Sequence, residues 1–311
     1  MKYIVTGGAG FIGSHLIEAL IEKEEKIICI DDLSTGKVDN LIEHTSLKFI
    51  HDQVQNINQD QLDDDVVGIF HLAAQASVPV SINNFFDSSK NNLLGMLKVW
   101  EIAKKRNIPI VFASSSAIYG NLPIGDDQIR TYQILSPYAQ DKLTMEDYAA
   151  MCWNVFNTSS IGLRLFNVYG PRQDPTNPYS GVISIFIDRL LQNKPVTVNG
   201  GYQTRDFIFV EDIVKVMIDS MEYLFSNRSC EVFNVGTGVS VTIDQLLAML
   251  TDIIEVEPKI NLKELPSSDP EKSGGTYEKL TRALNIDIDQ CIKLEDGLRS
   301  TVDYIRNEHG Q

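Results

Sequence analysis

The chain of 311 residues is predicted to fold as an α/β protein with a doubly wound parallel sheet and a smaller C-terminal lobe. In the first half, short runs rich in β-branched residues alternate with longer helical patterns. This alternation is typical of parallel strands joined by right-handed crossovers. A glycine-rich turn, G-x-x-G-x-x-G, follows the first predicted strand and precedes the first predicted helix, as in Rossmann-type folds.

Each element is predicted from its hydrophobic periodicity and from the residues that border it. In the first half the predicted strands are 3–6, 27–30, 47–50, 66–71, 110–113 and 160–165, and the predicted helices are 11–23, 91–106 and 138–157. In the second half we predict strands 195–199 and 231–235, helices 181–192 and 240–254, a polar and loop-rich stretch 255–276, and a last helix.

The composition of the chain changes after about residue 172, where two prolines and a glycine predict a loop over 173–181. We therefore expect two domains. The first takes residues 1–171 together with about 206–238. The smaller lobe takes residues 172–205 and 239–311.

The composition narrows the possible functions. A net charge of −15 disfavours nucleic-acid binding, because phosphate contacts need clustered lysine and arginine. No apolar run reaches 18 residues, and the first residues do not read as a secretory signal, so we expect no membrane partner. The four cysteines and five histidines match no metal-binding spacing. We expect a cytoplasmic protein with reduced thiols and no metal.

The glycine turn indicates a bound dinucleotide. Gly7, Gly10 and Gly13 would allow a tight turn, a close approach of backbone to a pyrophosphate, and close helix packing. The N-terminus of the following helix offers N–H groups and a positive dipole end to phosphates. The second strand ends at Asp31, whose carboxylate suits a ribose hydroxyl and repels a 2′-phosphate, and no arginine follows immediately. The sequence therefore predicts NAD rather than NADP.

A second motif indicates proton transfer. Tyr138 and Lys142 are one helical turn apart and share a helix face. A free phenol has a pKa near 10, and an ammonium group about 4 Å away contributes roughly 4 kcal/mol at an effective dielectric near 20. We therefore expect Lys142 to lower the pKa of Tyr138. Serines at 114–116 follow the strand predicted over 110–113, at the sheet edge where substrates bind, and a hydroxyl there can relay a proton.

These motifs resemble the extended short-chain dehydrogenase/reductase family, and within it the nucleotide-sugar 4-epimerases. The resemblance covers nearly the whole chain. The segments that carry it are 6–13, 31–36, 71–74, 114–120, 138–142, 164–171 and 205–207. Segments 77–81 and 170–175 are most similar to the bacterial UDP-N-acetylhexosamine 4-epimerase branch.

The resemblance implies an NAD-binding first domain and a nucleotide-sugar-binding lobe. It implies Ser115 as the catalytic hydroxyl, Tyr138 as the base and Lys142 as its partner. The cofactor-binding residues that it implies are Gly7, Gly10, Phe11, Ile12, Gly13, Asp31, Asp52, Leu72, Ala73, Ala74, Asn91 and Lys142. The substrate-binding residues that it implies are Ser77, Ser115, Asn167, Val182, Arg205 and Asp269, with Asn167 and Arg205 on the diphosphate.

The implied reaction is NAD-dependent inversion at C4 of UDP-glucose or UDP-galactose, or of their N-acetylated counterparts, through a transient 4-keto sugar. Such an enzyme would serve polysaccharide biosynthesis. Related dehydratases and decarboxylases carry an acid in the two positions after the catalytic hydroxyl, where this chain has Ser116 and Ala117. This difference favours simple oxidation and re-reduction.

Two alternatives stay open. The family usually has a phosphate-binding arginine at the position of Pro266, for which Arg172 is a candidate replacement. Its loss is compatible with an NAD(P)H-dependent reductase of a nucleotide 4-keto-6-deoxy sugar, for example one linked to dTDP. The second alternative, an NAD-sensing or scaffold protein, would not need Ser115, Tyr138 and Lys142 together. Ser273 falls where a small side chain would admit an N-acetyl group at C2.

The resemblance also implies a homodimer, paired through the helices predicted over 91–106 and 138–157. Four apolar residues are expected on the outer faces of these helices: Leu97, Trp100, Met151 and Phe156.

Overall fold

The computed structural model describes residues 1–177, 180–266 and 269–310. The chain divides into two compact units. The first comprises Met1–Ser115, Ser136–Arg164 and Ile213–Phe233, and the second comprises Ser116–Leu135, Leu165–Asp212 and Asn234–Gln311. Pro178 and Tyr179, which belong to the predicted loop 173–181, lie outside the described residues, as do Ser267 and Ser268 beside Pro266.

Strands and helices alternate through most of the chain. The strands are β1 Lys2–Thr6, β2 Lys26–Asp31, β3 Leu47–His51, β4 Gly68–His71, β5 Ile110–Ser115, β6 Ser160–Leu165, β7 Asn167–Tyr169, β8 Val196–Asn199, β9 Thr204–Phe209, β10 Cys230–Val235, β11 Ser240–Thr242 and β12 Ile260–Lys263. The helices are α1 Phe11–Glu22, α2 Val78–Asn83, α3 Phe85–Arg106, α4 Pro137–Phe156, α5 Val182–Leu191, α6 Val210–Ser226, α7 Ile243–Ile254, α8 Glu278–Leu284 and α9 Leu294–Glu308.

The first unit is built on a seven-stranded sheet with the order β10-β6-β5-β4-β1-β2-β3. The pairs β1–β2, β2–β3, β1–β4 and β4–β5 are all parallel. From β1 the chain first adds β2 and β3 on one side of the sheet. It then crosses back to β4, which lies on the other side of β1 and is followed outward by β5, β6 and β10. The sheet therefore has a switch point between β1 and β4, which is where ligands bind in open α/β sheets. The predicted doubly wound parallel fold is confirmed.

The core of the first unit contains apolar side chains from the sheet and from helices α3 and α4. The strand residues Ile4, Ile28 and Ile69 are almost fully buried, as expected for parallel strands covered on both faces. Trp100 of α3 packs edge-on against Phe112, with ring centroids 6.1 Å apart, and is only 5% exposed. The expectation that Trp100 lies on the outer face of its helix was therefore wrong.

Helix α4 has clear local signals at both ends. The Ser136 hydroxyl caps its N-terminus by accepting from the Ala139 amide at 3.2 Å, and Pro137 occupies the first turn. Asn157 ends the helix in the left-handed conformation, with φ of 55°. These signals fix where the helix begins, and they place Tyr138 and Lys142 in its first two turns.

The second unit contains two smaller sheets, β11-β9-β7 and β12-β8. Helices α5, α7 and α9 pack around an apolar core that includes Phe186, Leu246 and Val302. The helix predicted over 240–254 begins only at Ile243, because 240–242 forms strand β11. Thr242 and Gln245 then form a reciprocal capping box at the start of α7.

Several elements were not predicted, namely α2, β7, β9, α6, β11 and β12, and two helices, α8 and α9, stand where one last helix was predicted. Strand β9 runs directly into helix α6 at Val210 without a glycine, a proline or a capping side chain between them. In such a continuous apolar run, the periodicity does not distinguish a buried strand from a helix. Strand β12 was missed because its alternation of Ile260 and Leu262 with polar residues spans only four positions, and all four residues are exposed.

Within the described residues, no helix combines the length and the apolar character that a membrane span requires. The same residues bring together no group of three or more His, Cys, Asp or Glu side chains suited to a metal ion.

Candidate active site

The glycine turn joins β1 to α1, and two of its glycines are required by contacts within the protein. Gly7 has φ of +70°, and a Cβ there would lie 2.7 Å from the Ala73 amide nitrogen. A Cβ on Gly13 would lie 2.2 Å from the Gly7 carbonyl oxygen, so α1 packs directly on the turn. These two positions need glycine for the fold itself.

Gly10 is different. Its φ is −80°, and a Cβ there would meet only the Gly7 carbonyl oxygen, at 3.2 Å. The missing side chain therefore leaves backbone uncovered directly before the first turn of α1, where Phe11 and Ile12 are partly buried. This cradle fits a dinucleotide pyrophosphate, which needs exposed backbone beside a helix N-terminus.

Asp31 ends β2 and connects that strand to the glycine turn. One carboxylate oxygen accepts from the Ala9 amide at 3.0 Å, and the other accepts from the Leu33 amide at 2.8 Å. Burial raises the pKa of Asp31, and the two amide hydrogen bonds oppose this shift. Each oxygen has a second lone pair, so the carboxylate can also accept from a ribose hydroxyl.

The other predicted cofactor residues are distributed around this turn. Leu72, Ala73 and Ala74 follow β4, and the first two lie against Gly7. Asp52 follows β3, and its carboxylate accepts from the Gln53 amide at 2.7 Å and from the Asn56 side chain at 2.9 Å.

Asn91 and Asn92 of helix α3 differ sharply in environment. Asn91 is exposed, whereas Asn92 is fully buried. The Asn92 amide donates to Asp141 at 2.9 Å and accepts from the Gln75 backbone at 2.8 Å. Sequence reasoning missed Asn92. The spacing of the buried residues Ser88, Asn92, Gly95, Met96 and Val99 would have placed it on the inner face of the helix.

The three predicted catalytic residues meet within the first unit. Ser115 is the last residue of β5, and its hydroxyl is hydrogen bonded to the Tyr138 phenol. Lys142 is 3% exposed, and its ammonium donates to the Ala113 carbonyl at 2.7 Å. The same ammonium lies 5.7 Å from the centre of the Tyr138 ring. The arrangement presents a hydroxyl, a phenol and an ammonium group at the carboxyl end of one strand.

Burial dominates the electrostatics of this site. It raises the pKa of Tyr138, while the hydrogen bond from Ser115 lowers it and the charge of Asp141 raises it further. Burial also lowers the pKa of Lys142 to about 8, against the opposing effect of Asp141 and Glu146. For the protein groups alone, the pKa of Tyr138 is therefore raised rather than lowered as expected, because desolvation of the phenolate is the largest effect.

A buried histidine lies near the ammonium group. Burial lowers the pKa of His71 to about 3, and the charge of Lys142 contributes to this shift. Its Nδ1 lies 2.7 Å from the Thr6 hydroxyl. His71 is therefore neutral, and it ties β4 to the end of β1 where the glycine turn begins.

The predicted substrate residues lie mostly in the second unit. Arg205 of β9 is 8% exposed, donates to the Thr204 carbonyl at 2.7 Å and forms an ion pair with Asp269. Asn167 of β7 donates to the Asp206 carbonyl at 2.9 Å, on the neighbouring strand. Val182 begins helix α5. The structure thus brings Arg205 and Asp269 together.

Ser77 lies in the first unit and has a structural partner. Its hydroxyl caps α2 by accepting from the Val80 amide at 3.2 Å. In the second unit, Arg172 has a left-handed backbone, with φ of 66°, and the Asp269 amide donates to the Pro266 carbonyl at 2.9 Å.

Comparison with known proteins agrees with this arrangement. Residues 3–236 match the model of the NAD dependent epimerase/dehydratase family, and the chain belongs to that family. A putative UDP-glucose 4-epimerase of Methanocaldococcus jannaschii is 34% identical, over 98% of this chain and 99% of its own length.

Two solved structures have the same architecture. A UDP-N-acetylglucosamine 4-epimerase from Methanobrevibacter ruminantium M1, in complex with UDP-N-acetylmuramic acid, is 34% identical with a TM-score of 0.90, and covers 99% of this chain and 98% of that one. The UDP-glucose 4-epimerase of Thermotoga maritima, with UDP-glucose, is 33% identical with a TM-score of 0.91, and covers 99% of this chain and 100% of that one.

Proposed function

We propose that this protein is an NAD-dependent UDP-sugar 4-epimerase. The observation that carries the proposal is the grouping of Ser115, Tyr138 and Lys142 at the end of β5, in a sheet whose first turn fits a dinucleotide. The Methanocaldococcus jannaschii, Methanobrevibacter ruminantium and Thermotoga maritima proteins, which are similar to this chain over almost their full length, are named as UDP-sugar 4-epimerases. The alternative of a nucleotide 4-ketosugar reductase is not favoured by these relatives.

The NAD site is proposed on the residues of the first unit. The backbone of Gly7, Gly10 and Gly13 and the start of α1 would hold the pyrophosphate, and Asp31 would accept from the adenosine ribose. Asp52, Leu72, Ala73, Ala74 and Asn91 are proposed contacts as well. NAD would supply a hydride acceptor and a positive charge. The carboxylate of Asp31 favours NAD over NADP, since it would repel a 2′-phosphate.

The chain's own residues handle the proton of the sugar's O4 hydroxyl. Tyr138 accepts this proton when the sugar is oxidised and returns it when the 4-keto sugar is reduced. The Ser115 hydroxyl is bonded to the phenol oxygen, so it can relay the proton and stabilise the phenolate. Because burial raises the pKa of Tyr138, a positive charge must offset the desolvation of the phenolate, and the Lys142 ammonium provides one such charge.

Inversion requires that the 4-keto sugar turn while its nucleotide stays anchored, so that the hydride returns to the opposite face of C4. Arg205 and Asn167 are the proposed diphosphate contacts, Asp269 a ribose contact, and Ser77 and Val182 further substrate contacts. Arg205 is the single arginine of this set, since Pro266 occupies the position of a second one. Ser116 and Ala117 provide no carboxyl group after Ser115, which supports epimerisation over dehydration.

The test is a proton NMR time course of UDP-GlcNAc, and separately of UDP-glucose, with purified protein and catalytic NAD. We expect the 4-epimer to accumulate to a constant ratio without net formation of NADH. Stoichiometric consumption of cofactor would contradict an epimerase. A Tyr138→Phe protein serves as the matched inactive control.

We also propose a homodimer that pairs through α3 and α4, which pack against each other in the first unit. Leu97, Met151, Val155 and Phe156 of these helices are between 37% and 63% exposed, so such an interface would bury four large apolar side chains of each protomer. Leu97→Glu combined with Met151→Glu is expected to yield monomers in sedimentation velocity. An unchanged sedimentation coefficient would contradict this interface. A cytoplasmic location and a role in polysaccharide biosynthesis are part of the same proposal.

A further inference from the structure

A buried ionic cluster lies behind the catalytic residues of the first unit. Glu146 and Arg164 form a bidentate pair, with Arg164 Nε donating to Glu146 Oε1 at 2.9 Å and Nη2 donating to Oε2 at 2.7 Å. The Ser114 hydroxyl donates to the same Oε1 at 2.5 Å. The side chains of Arg164 and Glu146 are only 3% and 4% exposed, so the carboxylate is satisfied entirely by protein groups.

The cluster connects two elements that carry the proposed chemistry. Tyr138, Lys142 and Glu146 are spaced four residues apart and form one stripe along α4. Three consecutive residues at the end of β5 contact this stripe. The Ser115 hydroxyl bonds to Tyr138, the Ala113 carbonyl accepts from Lys142, and the Ser114 hydroxyl donates to Glu146. Arg164 then ties Glu146 to the adjacent strand β6.

Stability alone does not explain a charged pair at this position. Taking a carboxylate and a guanidinium out of water is costly, and well-packed apolar residues often stabilise a core equally well. A fully satisfied polar network does, however, fix the relative positions of the elements that it joins. Here it joins the strand end that carries Ser115 to the helix that carries Tyr138 and Lys142.

We propose that Glu146, held by Arg164, is a positioning residue that fixes Ser115 against Tyr138 and Lys142 through its hydrogen bond with Ser114. This inference rests on the proposed roles of those three residues. Glu146 has a second effect through its charge, because it stabilises the protonated form of Lys142.

The charge effect can be measured as a change in the pH dependence of kcat. A residue that only stabilised the fold would not change this pH dependence. The ionisable groups that bear on Lys142 are Tyr138, Asp141 and Glu146 on α4 and His71 on β4. The wild-type enzyme should lose kcat as pH rises through the Lys142 pKa of about 8. Glu146→Gln removes a negative charge that raises this pKa, so the alkaline limb of the profile should move to lower pH.

The experiment compares four variants as NAD-loaded protein. For Glu146→Gln we expect kcat to fall about tenfold with KM within about threefold, together with the shifted alkaline limb. For Ser114→Ala we expect a smaller fall in kcat without a shifted limb, because the charge is retained. The double variant should lose no more than Glu146→Gln alone, since both changes break one connection. Asp147→Asn, which removes a charge from an exposed position of the same helix, should match wild type.

Wild-type kcat and an unmoved pH profile for Glu146→Gln would overturn the proposal, as would additive losses in the double variant. If Glu146→Gln does not fold, Ser114→Ala decides: a lower kcat with wild-type thermal stability supports the proposal, and wild-type kcat refutes it. Tyr138→Phe is measured in parallel. If that variant is active, the proposed catalytic roles fail; if it is inactive, the result for Glu146 stands on its own.

Discussion

Gly10 and Gly13 belong to one sequence motif, but the structure predicts different consequences of replacing each with alanine. At Gly13 the added Cβ would lie 2.2 Å from the Gly7 carbonyl oxygen, 2.7 Å from Gly8 Cα and 2.9 Å from Gly7 carbonyl carbon. All three atoms are backbone, so no side chain can move aside. Helix α1 would have to shift by about 1 Å, and overpacking of this kind costs about 3 kcal/mol.

At Gly10 the added methyl group meets only one atom at 3.2 Å, and the backbone φ of −80° is accessible to alanine. We therefore expect the stability of Gly10→Ala to stay within about 1 kcal/mol of wild type. The methyl group would instead occupy the cradle proposed for the pyrophosphate. A loss of about 1.4 kcal/mol or more in NAD binding corresponds to at least a tenfold weaker Kd.

The assay pairs thermal unfolding of the cofactor-free proteins with NAD titration by calorimetry. Gly13→Ala should lower Tm by roughly 6 °C or more, taking about 2 °C per kcal/mol for a chain of this size. Gly10→Ala should keep its Tm and lose NAD affinity. The reasoning would be refuted by a wild-type Kd for Gly10→Ala, or by a wild-type Tm for Gly13→Ala.

Three further predictions concern the remaining site residues. Tyr138→Phe should lower kcat at least about 1,000-fold while NAD stays bound, as shown by turnover and by cofactor content, because phenylalanine cannot exchange a proton. Lys142→Met should abolish the alkaline limb near pH 8 in the kcat profile, since burial places the Lys142 pKa there and its charge is lost above it. Arg205→Met should raise KM about 10- to 100-fold, in initial-rate assays, by removing one charge-assisted phosphate contact. A limb that persists in Lys142→Met, or an unchanged KM in Arg205→Met, would contradict these assignments.

The sequence was informative wherever the chemistry depends on neighbours along the chain. The glycine turn and the four-residue spacing of Tyr138 and Lys142 are local patterns, and the structure contains the first as an element boundary and the second on a helix face. The doubly wound sheet followed from the alternation of strands and helices. The roles of the individual site residues stay predictions until the variants are measured.

The sequence was less informative about properties that depend on which side chains are buried. Asn91 and Asn92 are identical in type and adjacent, and only the rotation of α3 against the core distinguishes the exposed one from the buried one. Trp100 was expected outside and lies in the core for the same reason. The direction of the Tyr138 pKa shift also depends on desolvation, which a charge count along the chain does not include.

By itself, then, the sequence determined the fold class, the NAD-type turn and the pairing of a phenol with an ammonium group on one helix face. These depend on short-range spacing, which the backbone geometry of helices and turns converts directly into position. Only the tertiary structure decided that Ser114, Glu146 and Arg164, which are 18 to 50 residues apart, share one buried hydrogen-bond network. Contacts at such separations depend on how elements pack, and the energetics of a buried charge depend on every group that surrounds it.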